Sequence, residues 1–271
     1  MRKIRLLLII AGIMPIITAC SGKEKYGLCI ISPEETVGVN AGSFFPMYSV
    51  VKFPQALYVA DYLQRNDISL DSAVVVRKSE LMQDTWSPML EGMDESRTFS
   101  FRELLRLSLV ESDNNACDLL FKLCGMPEVV DSFIKGLGFN DINIAVTERQ
   151  MHDDIALAAA NYCTPSEMAR LFLWFEDHKD DNAYYREIWD KMSACNTGAD
   201  RIPAAFGADC KIVHKTGTGF TPENGLPQMN DAGIVILPDG QMLAIAIFVP
   251  YPITVSELSE IVKRHSDEFL E

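Results

Sequence analysis

What most restricts the fold is where the chain places its strand-like segments. Residues 211–215, 231–237 and 242–249 alternate or run apolar, and Pro238-Asp239-Gly240 supplies a hairpin turn between the last two. Near the other end, residues 26–31 and 36–40 read as two short strands around the turn-like Ser32-Pro33-Glu34-Glu35. The stretch between is mainly helical in pattern. Strands at both ends with helices between them predict an α+β fold: an antiparallel β-sheet formed from both chain ends, flanked by helices, with an all-α insert. The expected division is residues 21–45 and 195–271 for the sheet-bearing part and 46–194 for the all-α part. A functional site is expected where the insert meets the sheet.

Within the insert, residues 49–64 read as a helix with Phe53, Leu57, Ala60 and Leu63 as an apolar stripe. Pro54 is tolerated near its first turn, where backbone N–H groups lack intrahelical partners. Ser100-Phe101-Arg102-Glu103 is a capping box that opens a helix through Val110. Further helices are expected over 115–123, over 127–135 before Gly136 and Gly138, and from Thr164-Pro165-Ser166-Glu167 onward. Residues 71–97 read as irregular, 140–160 as a long connection, and 256–270 as a closing amphipathic helix.

Charge and cysteine content narrow the partners. A net charge of −14 over 271 residues argues against nucleic acid and against docking on anionic lipid. Arg2, Lys3 and Arg5 form a basic head, followed by an apolar run over 6–18 too short to span a bilayer. Ile17-Thr18-Ala19-Cys20 then resembles a bacterial lipoprotein processing site. Residues 1–20 are therefore expected to be an export signal. The mature chain would be periplasmic or secreted, or membrane-anchored by a lipid on Cys20. Seven cysteines are many for such a chain. Cys117 and Cys124 fall two turns apart on one expected helix, about 10 Å, too far for a disulfide. Cys29, Cys163, Cys195 and Cys210 read as small buried hydrophobes. No metal-ligand spacing occurs, so no metal, no cofactor and no thiol catalysis are expected.

Ser49-Val50-Val51-Lys52 stands at a helix start entered through Phe45-Pro46-Met47. Residues three apart share a helix face, so the Lys52 amine comes within reach of the Ser49 hydroxyl. A serine becomes a nucleophile when a neighbour removes its proton, and a desolvated lysine can do so. A chain of this length holds about one S-x-x-K by chance. Here Ser112-Asp113-Asn114 and Lys215-Thr216-Gly217 follow in order, a coincidence of about one chain in several hundred or fewer.

The ordered set resembles the signature of the class A serine β-lactamases and penicillin-binding proteins, over roughly residues 26–270. The resemblance implies Ser49 as nucleophile and Lys52 as the group that holds or accepts its proton. Ser112, with Lys215 beside it, would relay a proton to the leaving nitrogen. Asn114 would bond the substrate's side-chain amide, and the backbone N–H groups of Ser49 and Thr218 would form the oxyanion hole. Thr216, Thr218 and Arg201, within Thr197-Gly198-Ala199-Asp200-Arg201, would take the substrate carboxylate. An ordinary surface arginine is the alternative reading of Arg201. Gly217 and Gly219 would keep the strand edge clear for substrate.

Thr147-Glu148-Arg149-Gln150-Met151 resembles the E-x-x-M form of one class A subgroup, that of the extended-spectrum cephalosporinases. This makes Glu148 the base for the deacylating water; a solvated loop carboxylate is the plain alternative. Whether Lys52, or Glu148 through a water, serves acylation stays open. Many class A enzymes carry asparagine four residues after that glutamate. His152 stands there instead, and imidazole can make the same bond to the water. His178, His214 and His265 read as structural or surface, and Asn230-Asp231 as a structural pair. Class A enzymes also have a helix before the first strand, for which almost no chain remains between Cys20 and Tyr26.

The expected activity is hydrolysis of β-lactam antibiotics, penicillins or cephalosporins with a lean to the latter, through an acyl-Ser49 intermediate. The alternatives are a D-alanyl-D-alanine carboxypeptidase that stays acylated by penicillin, and a non-catalytic penicillin-binding lipoprotein. The partner expected is a small β-lactam, and the chain is expected to be a monomer.

Overall fold

Met242–Val249 (β10) is apolar throughout because both of its faces are covered. Leu243, Ile245, Ile247 and Val249 point to one side, into a cluster with Leu28, Ile30, Leu258 and Val262. Ala244, Ala246 and Phe248 point to the other, into the main core. The period of two along a strand separates the sets. The computed structural model describes residues 25–219, 221 and 225–269. The expected export signal with Cys20, and the question of a helix before the first strand, lie outside the described residues.

β10 is the centre of a five-stranded antiparallel sheet made with Gly27–Ile31 (β1), Thr36–Val39 (β2), Lys211–Thr218 (β8) and Met229–Ile236 (β9). The order is β2-β1-β10-β9-β8, so the two chain ends do build one sheet and β8 is an edge. Between them run Phe45–Pro46 (β3), Lys52–Arg65 (α1), Ala73–Arg77 (β4), Ser96–Ser100 (β5), Phe101–Val110 (α2), Asn114–Cys124 (α3) and Pro127–Gly136 (α4). Ile142–Asn143 (β6), Glu148–Asp153 (α5), Tyr162–Cys163 (β7), Pro165–His178 (α6), Ala183–Ser193 (α7) and Ile202–Ala205 (α8) follow. Val255–Ser266 (α9) closes the chain over the first face of the sheet.

The segment between the sheet's halves is not all-helical, which corrects the sequence expectation. β4 and β5 pair as a hairpin inside the stretch read as irregular, and β3, β7 and β6 form a small second sheet. The hairpin has little buried surface on either side, so no in–out alternation marks it. Nor is the segment separate from the sheet. α6 packs on β1, β9 and β10, where the small side chains of Ala244 and Ala246 let it approach. α1 also differs from the expected one-sided helix: Lys52 to Ala60 are all buried, and its first exposed residue is Gln64. It is the central rod of the core, with Phe53 stacked on Phe172 at 4.0 Å between centroids.

One polar side chain ties the start of α1 to the sheet. Asn230 on β9, buried, donates through Nδ2 to Pro46 O at 2.7 Å and Met47 O at 3.3 Å, and accepts from the Val249 N–H at 3.1 Å. Replacing it removes the Asn230 bonds of the Pro46 carbonyl and the Val249 N–H in the interior, while Met47 O keeps the Val50 N–H. Asn230→Ala is therefore expected to lower the unfolding free energy by about 2–4 kcal/mol, measured by urea denaturation.

Candidate active site

Ser49 lies in the tight turn that leads into α1, and Lys52 is the first residue of that helix. One turn separates them, and Lys52 Nζ lies 3.0 Å from Ser49 Oγ. The amine is fully buried, and three further acceptors surround it: Ser112 O at 2.8 Å, Asn114 Oδ1 at 2.7 Å and Glu148 Oε1 at 3.0 Å. Glu148 Oε1 is 3.5 Å from Ser49 Oγ. The hydroxyl thus faces an amine and a carboxylate that touch one another.

Ser112 joins α2 to α3 with a φ of +59°, unusual for a residue with a side chain. Asp113 holds that turn. Its buried carboxylate caps α3 at the Ala116 N–H (2.8 Å) and also accepts from the Met89 N–H (2.7 Å) and the Ser87 hydroxyl. Opposite, on β8, the buried Lys215 amine donates to Ser112 Oγ at 2.9 Å. Burial holds Lys215 down to about 7, so near neutral pH it is poised to give up a proton. Glu148 is the first residue of α5, which Thr147 opens with a capping box to Gln150. A cavity of about 470 Å³ spans these elements, lined by Ser49, Ser112, Asn114, Arg201, Thr216 and Thr218, with Trp86 and Thr197 at its margin.

The family model described as the β-lactamase enzyme family matches residues 12–267. β-Lactamase VEB-1 of Pseudomonas aeruginosa is 32% identical over 241 residues, 87% of this chain and 81% of that protein. The crystal structure of a β-lactamase from Chitinophaga pinensis superposes with a TM-score of 0.83 at 32% identity, covering 92% of this chain and 96% of that one. TLA-1 extended-spectrum β-lactamase gives 0.86 at 32% identity, covering 91% and 93%. The chain belongs to the class A serine β-lactamase family. Its fold is the mixed helix and antiparallel sheet of those enzymes, and neither the carboxypeptidase nor the silent binding protein is favoured.

Three features of this β-lactamase differ from what the sequence suggested. His152 is turned outward and its ring nitrogens face Asp84 (3.5 Å) and Asp153 (3.3 Å), whose carboxylates raise its pKa. It contacts neither Ser49 nor Glu148, because α5 carries it out to the acidic rim. Arg201 is not a surface arginine: it is buried, giving Nη1 to Gly217 O (2.9 Å) and Asn230 O (2.8 Å) and Nη2 to Thr218 Oγ1 (2.7 Å). Cys195 is half-buried in polar company rather than packed as a hydrophobe, with Sγ 3.3 Å from Thr197 Oγ1. The need for glycine at 217 is internal as well. A Cβ there would lie 2.5 Å from Met47 O, so only glycine lets β8 close on the turn that holds Ser49.

Sequence reasoning passed over the residues that hold the catalytic segments in place. Asp118 of α3 accepts the backbone N–H groups of Glu148 (2.8 Å) and Arg149 (2.9 Å), fixing the first turn of α5 against the rest of the insert. Asn161 accepts from the Ala145 and Val146 N–H groups, and its own carbonyl accepts from the Met47 N–H, tying the Glu148 segment to the Ser49 turn. The T-x-x-Q of Thr147–Gln150 was a visible signal for α5; Asp118 and Asn161 carried none.

Burial, aided by the charge of Glu148, raises Asp118 to about 6. The folded chain then holds this proton more tightly than the unfolded chain does. That contribution to stability is full below about pH 4 and is lost as pH rises through about 6. Relative to Asp118→Asn, the wild type is expected to lose about 2 kcal/mol of stability between about pH 4.5 and pH 7, read from urea unfolding at the two values.

Proposed function

We propose that this chain hydrolyses β-lactams with Ser49 as the nucleophile and Glu148 as the deacylating base. The observation that carries the reading is the contact set around Lys52 Nζ, which brings Ser49 Oγ, Ser112 and Glu148 Oε1 together. Ser49 Oγ attacks the lactam carbonyl, and its proton passes to the Lys52–Glu148 pair. The backbone N–H groups of Ser49 and Thr218 receive the developing oxyanion. As the carbon–nitrogen bond breaks, Ser112 gives its proton to the nitrogen, and Lys215, 2.9 Å away, replaces it. The proton held by the Lys52–Glu148 pair returns to Lys215 through Ser112, whose Oγ is 3.5 Å from Lys52 Nζ. A water beside the acyl ester then loses a proton to Glu148 and adds to the carbonyl, and the pair gives that proton to Ser49 as it leaves.

The rest of the cavity suits a substrate that carries a carboxylate. Thr218 Oγ1 accepts from Arg201, so its own proton is free to donate outward, and Arg201 supplies the positive charge behind it. Asn114, whose Oδ1 is taken by Lys52 and whose Nδ2 donates to Thr85 Oγ1, sits where a substrate amide would pass. The edge strand β8 offers unpaired backbone groups to the same ligand. The name of TLA-1 describes an extended spectrum; we extend that breadth, with cephalosporins included, to this chain. We further propose export by residues 1–20, lipid attachment at Cys20 and action as a monomer. Among the described residues no helix is long and apolar enough to cross a membrane.

Nitrocefin turnover by the wild type is expected to be sustained. Glu148→Ala is expected to slow it about a thousandfold and leave a stoichiometric acyl-enzyme visible by mass spectrometry. A single burst from the wild type would point to the carboxypeptidase or binding protein instead. Cys20→Ser is expected to move the protein from the detergent phase to the aqueous phase, and an unchanged distribution would refute lipid attachment.

A further inference from the structure

Behind the cavity, a chain of hydrogen bonds runs from the sheet interior to a hydroxyl that faces the ligand. Asp231 on β9, fully buried, holds His214 Nδ1 at 2.9 and 3.1 Å through its two oxygens. The His214 ring also lies close enough to Cys195 for its hydrogen bonding and charge to bear on the thiol. Cys195 Sγ lies 3.3 Å from Thr197 Oγ1 and 3.6 Å from Thr197 O. Thr197 Oγ1 is 2.7 Å from Thr216 Oγ1, and both threonines line the cavity.

Two hydroxyl oxygens 2.7 Å apart share one proton, and which of them supplies it is decided further along the chain. If Cys195 is a thiol, its one proton can go to Thr197 Oγ1, the nearer of its two acceptors, or to Thr197 O. When it goes to Oγ1, Thr197 points its own proton at Thr216 Oγ1, and the Thr216 proton is free to point into the cavity. If Cys195 is a thiolate, it accepts the Thr197 proton. Thr216 must then donate to Thr197, and it turns only lone pairs toward the ligand. Thr218 has no such ambiguity, because Arg201 always donates to it.

We infer that Cys195 is a positioning residue that sets the direction of the Thr216 hydroxyl, and through it how firmly the cavity holds a substrate carboxylate. The inference rests on the functional reading above. The surroundings place the switch in a useful range. Burial pushes the Cys195 thiol up, but the hydrogen bond and charge of His214, with Lys215 and Thr197, more than reverse this and bring it to about 7. Burial opposes the charge on His214, and Asp231 overcomes it, raising the imidazole to about 10, so His214 stays cationic while Cys195 titrates. The charged groups facing the thiol are His214 and Lys215 from β8, Asp231 from β9, and Arg201 from its own segment.

Cys195→Ser provides the test, because serine keeps the donor but does not ionise. The substrates are benzylpenicillin and its methyl ester, which has no anionic carboxylate. At about pH 8, where the wild type is mostly thiolate, the variant is expected to show a KM for benzylpenicillin about fivefold lower. The ester should show no such fall. Loss of the thiolate also lowers the ammonium fraction of Lys215, which supplies the proton for the leaving nitrogen. That effect is read in kcat and is the same for acid and ester, while the fall in KM for the acid alone reads the hydroxyl. Thr197→Val, which cuts the chain between sulfur and Thr216, should abolish the difference between cysteine and serine. Cys195→Ala, which neither donates to Thr197 nor accepts from it, should give a KM between those of the wild type and Cys195→Ser. Hydrolysis by the wild type with a KM that Cys195→Ser leaves unchanged, or alters equally for acid and ester, overturns the inference alone. No hydrolysis by the wild type overturns the functional reading, and the inference with it.

Discussion

A single buried amine draws three parts of the chain to one point. Lys52 Nζ bonds to Ser49 at the start of α1, to Ser112 and Asn114 at the junction of α2 and α3, and to Glu148 at the start of α5. A lysine taken wholly out of water is costly unless its protons meet acceptors, and it has three protons to place. Only Ser49 is a neighbour in sequence; Ser112 and Asn114 come from the α2–α3 junction and Glu148 from the start of α5. The site therefore exists only when the insert is folded, and the insert cannot fold comfortably without the site. Asp113, Asp118, Asn161 and Asn230 are the clamps that make this hold, each buried or half-buried and each accepting from or donating to at least one backbone group of a segment distant in sequence.

The same junction carries backbone strain. Tyr48 and Ser112, which flank the cleft from opposite sides, have φ of +48° and +59°. Such conformations cost on the order of 1–3 kcal/mol each for residues with side chains, and they survive only where surrounding bonds over-determine them. At Tyr48 the constraint comes from Asn230, which grips the two carbonyls just before it, and from Gly217, which lets β8 lie against the turn. At Ser112 it comes from Asp113 and from Lys52, which bonds the Ser112 carbonyl. The strain aims the Ser49 and Ser112 side chains across the cavity, where a relaxed helix would turn them along its own surface.

Much of this architecture was legible in the sequence, and the limits of legibility have physical causes. Ser49, Lys52, Ser112, Asn114, Lys215 and Thr216 could be read because the chemistry fixes their types and local geometry fixes their spacing. The β10 segment and the capping box of Ser100 and Glu103 were readable because apolar runs and caps are local signals. The β4–β5 hairpin was hidden because it buries little, and α7 because nothing marked its start strongly enough to be assigned. His152 was misjudged because a position in a helix does not say which way the helix faces. Cys195 was misjudged because apolar neighbours in sequence do not predict neighbours in space: its partners His214 and Asp231 arrive from two strands of the sheet.

The groups around the cavity have been pushed toward neutrality from both directions. Burial takes Lys215 down to about 7 and Asp118 up to about 6, while His214 brings Cys195 down to about 7. For Lys215 the unfolded chain binds the proton more tightly, so its contribution makes stability rise as pH climbs from about 7 towards 10.5. For Asp118 the contribution falls as pH climbs from about 4 to 6. Both amount to a stability cost at neutral pH, carried by Lys215, which bonds Ser112, and by Asp118, which holds the first turn of α5. A protein shaped for stability alone would leave these charges in water or pair them fully. Kept as they are, these groups sit near the balance point between protonated and ionised forms close to neutral pH, the condition under which a group passes a proton most readily.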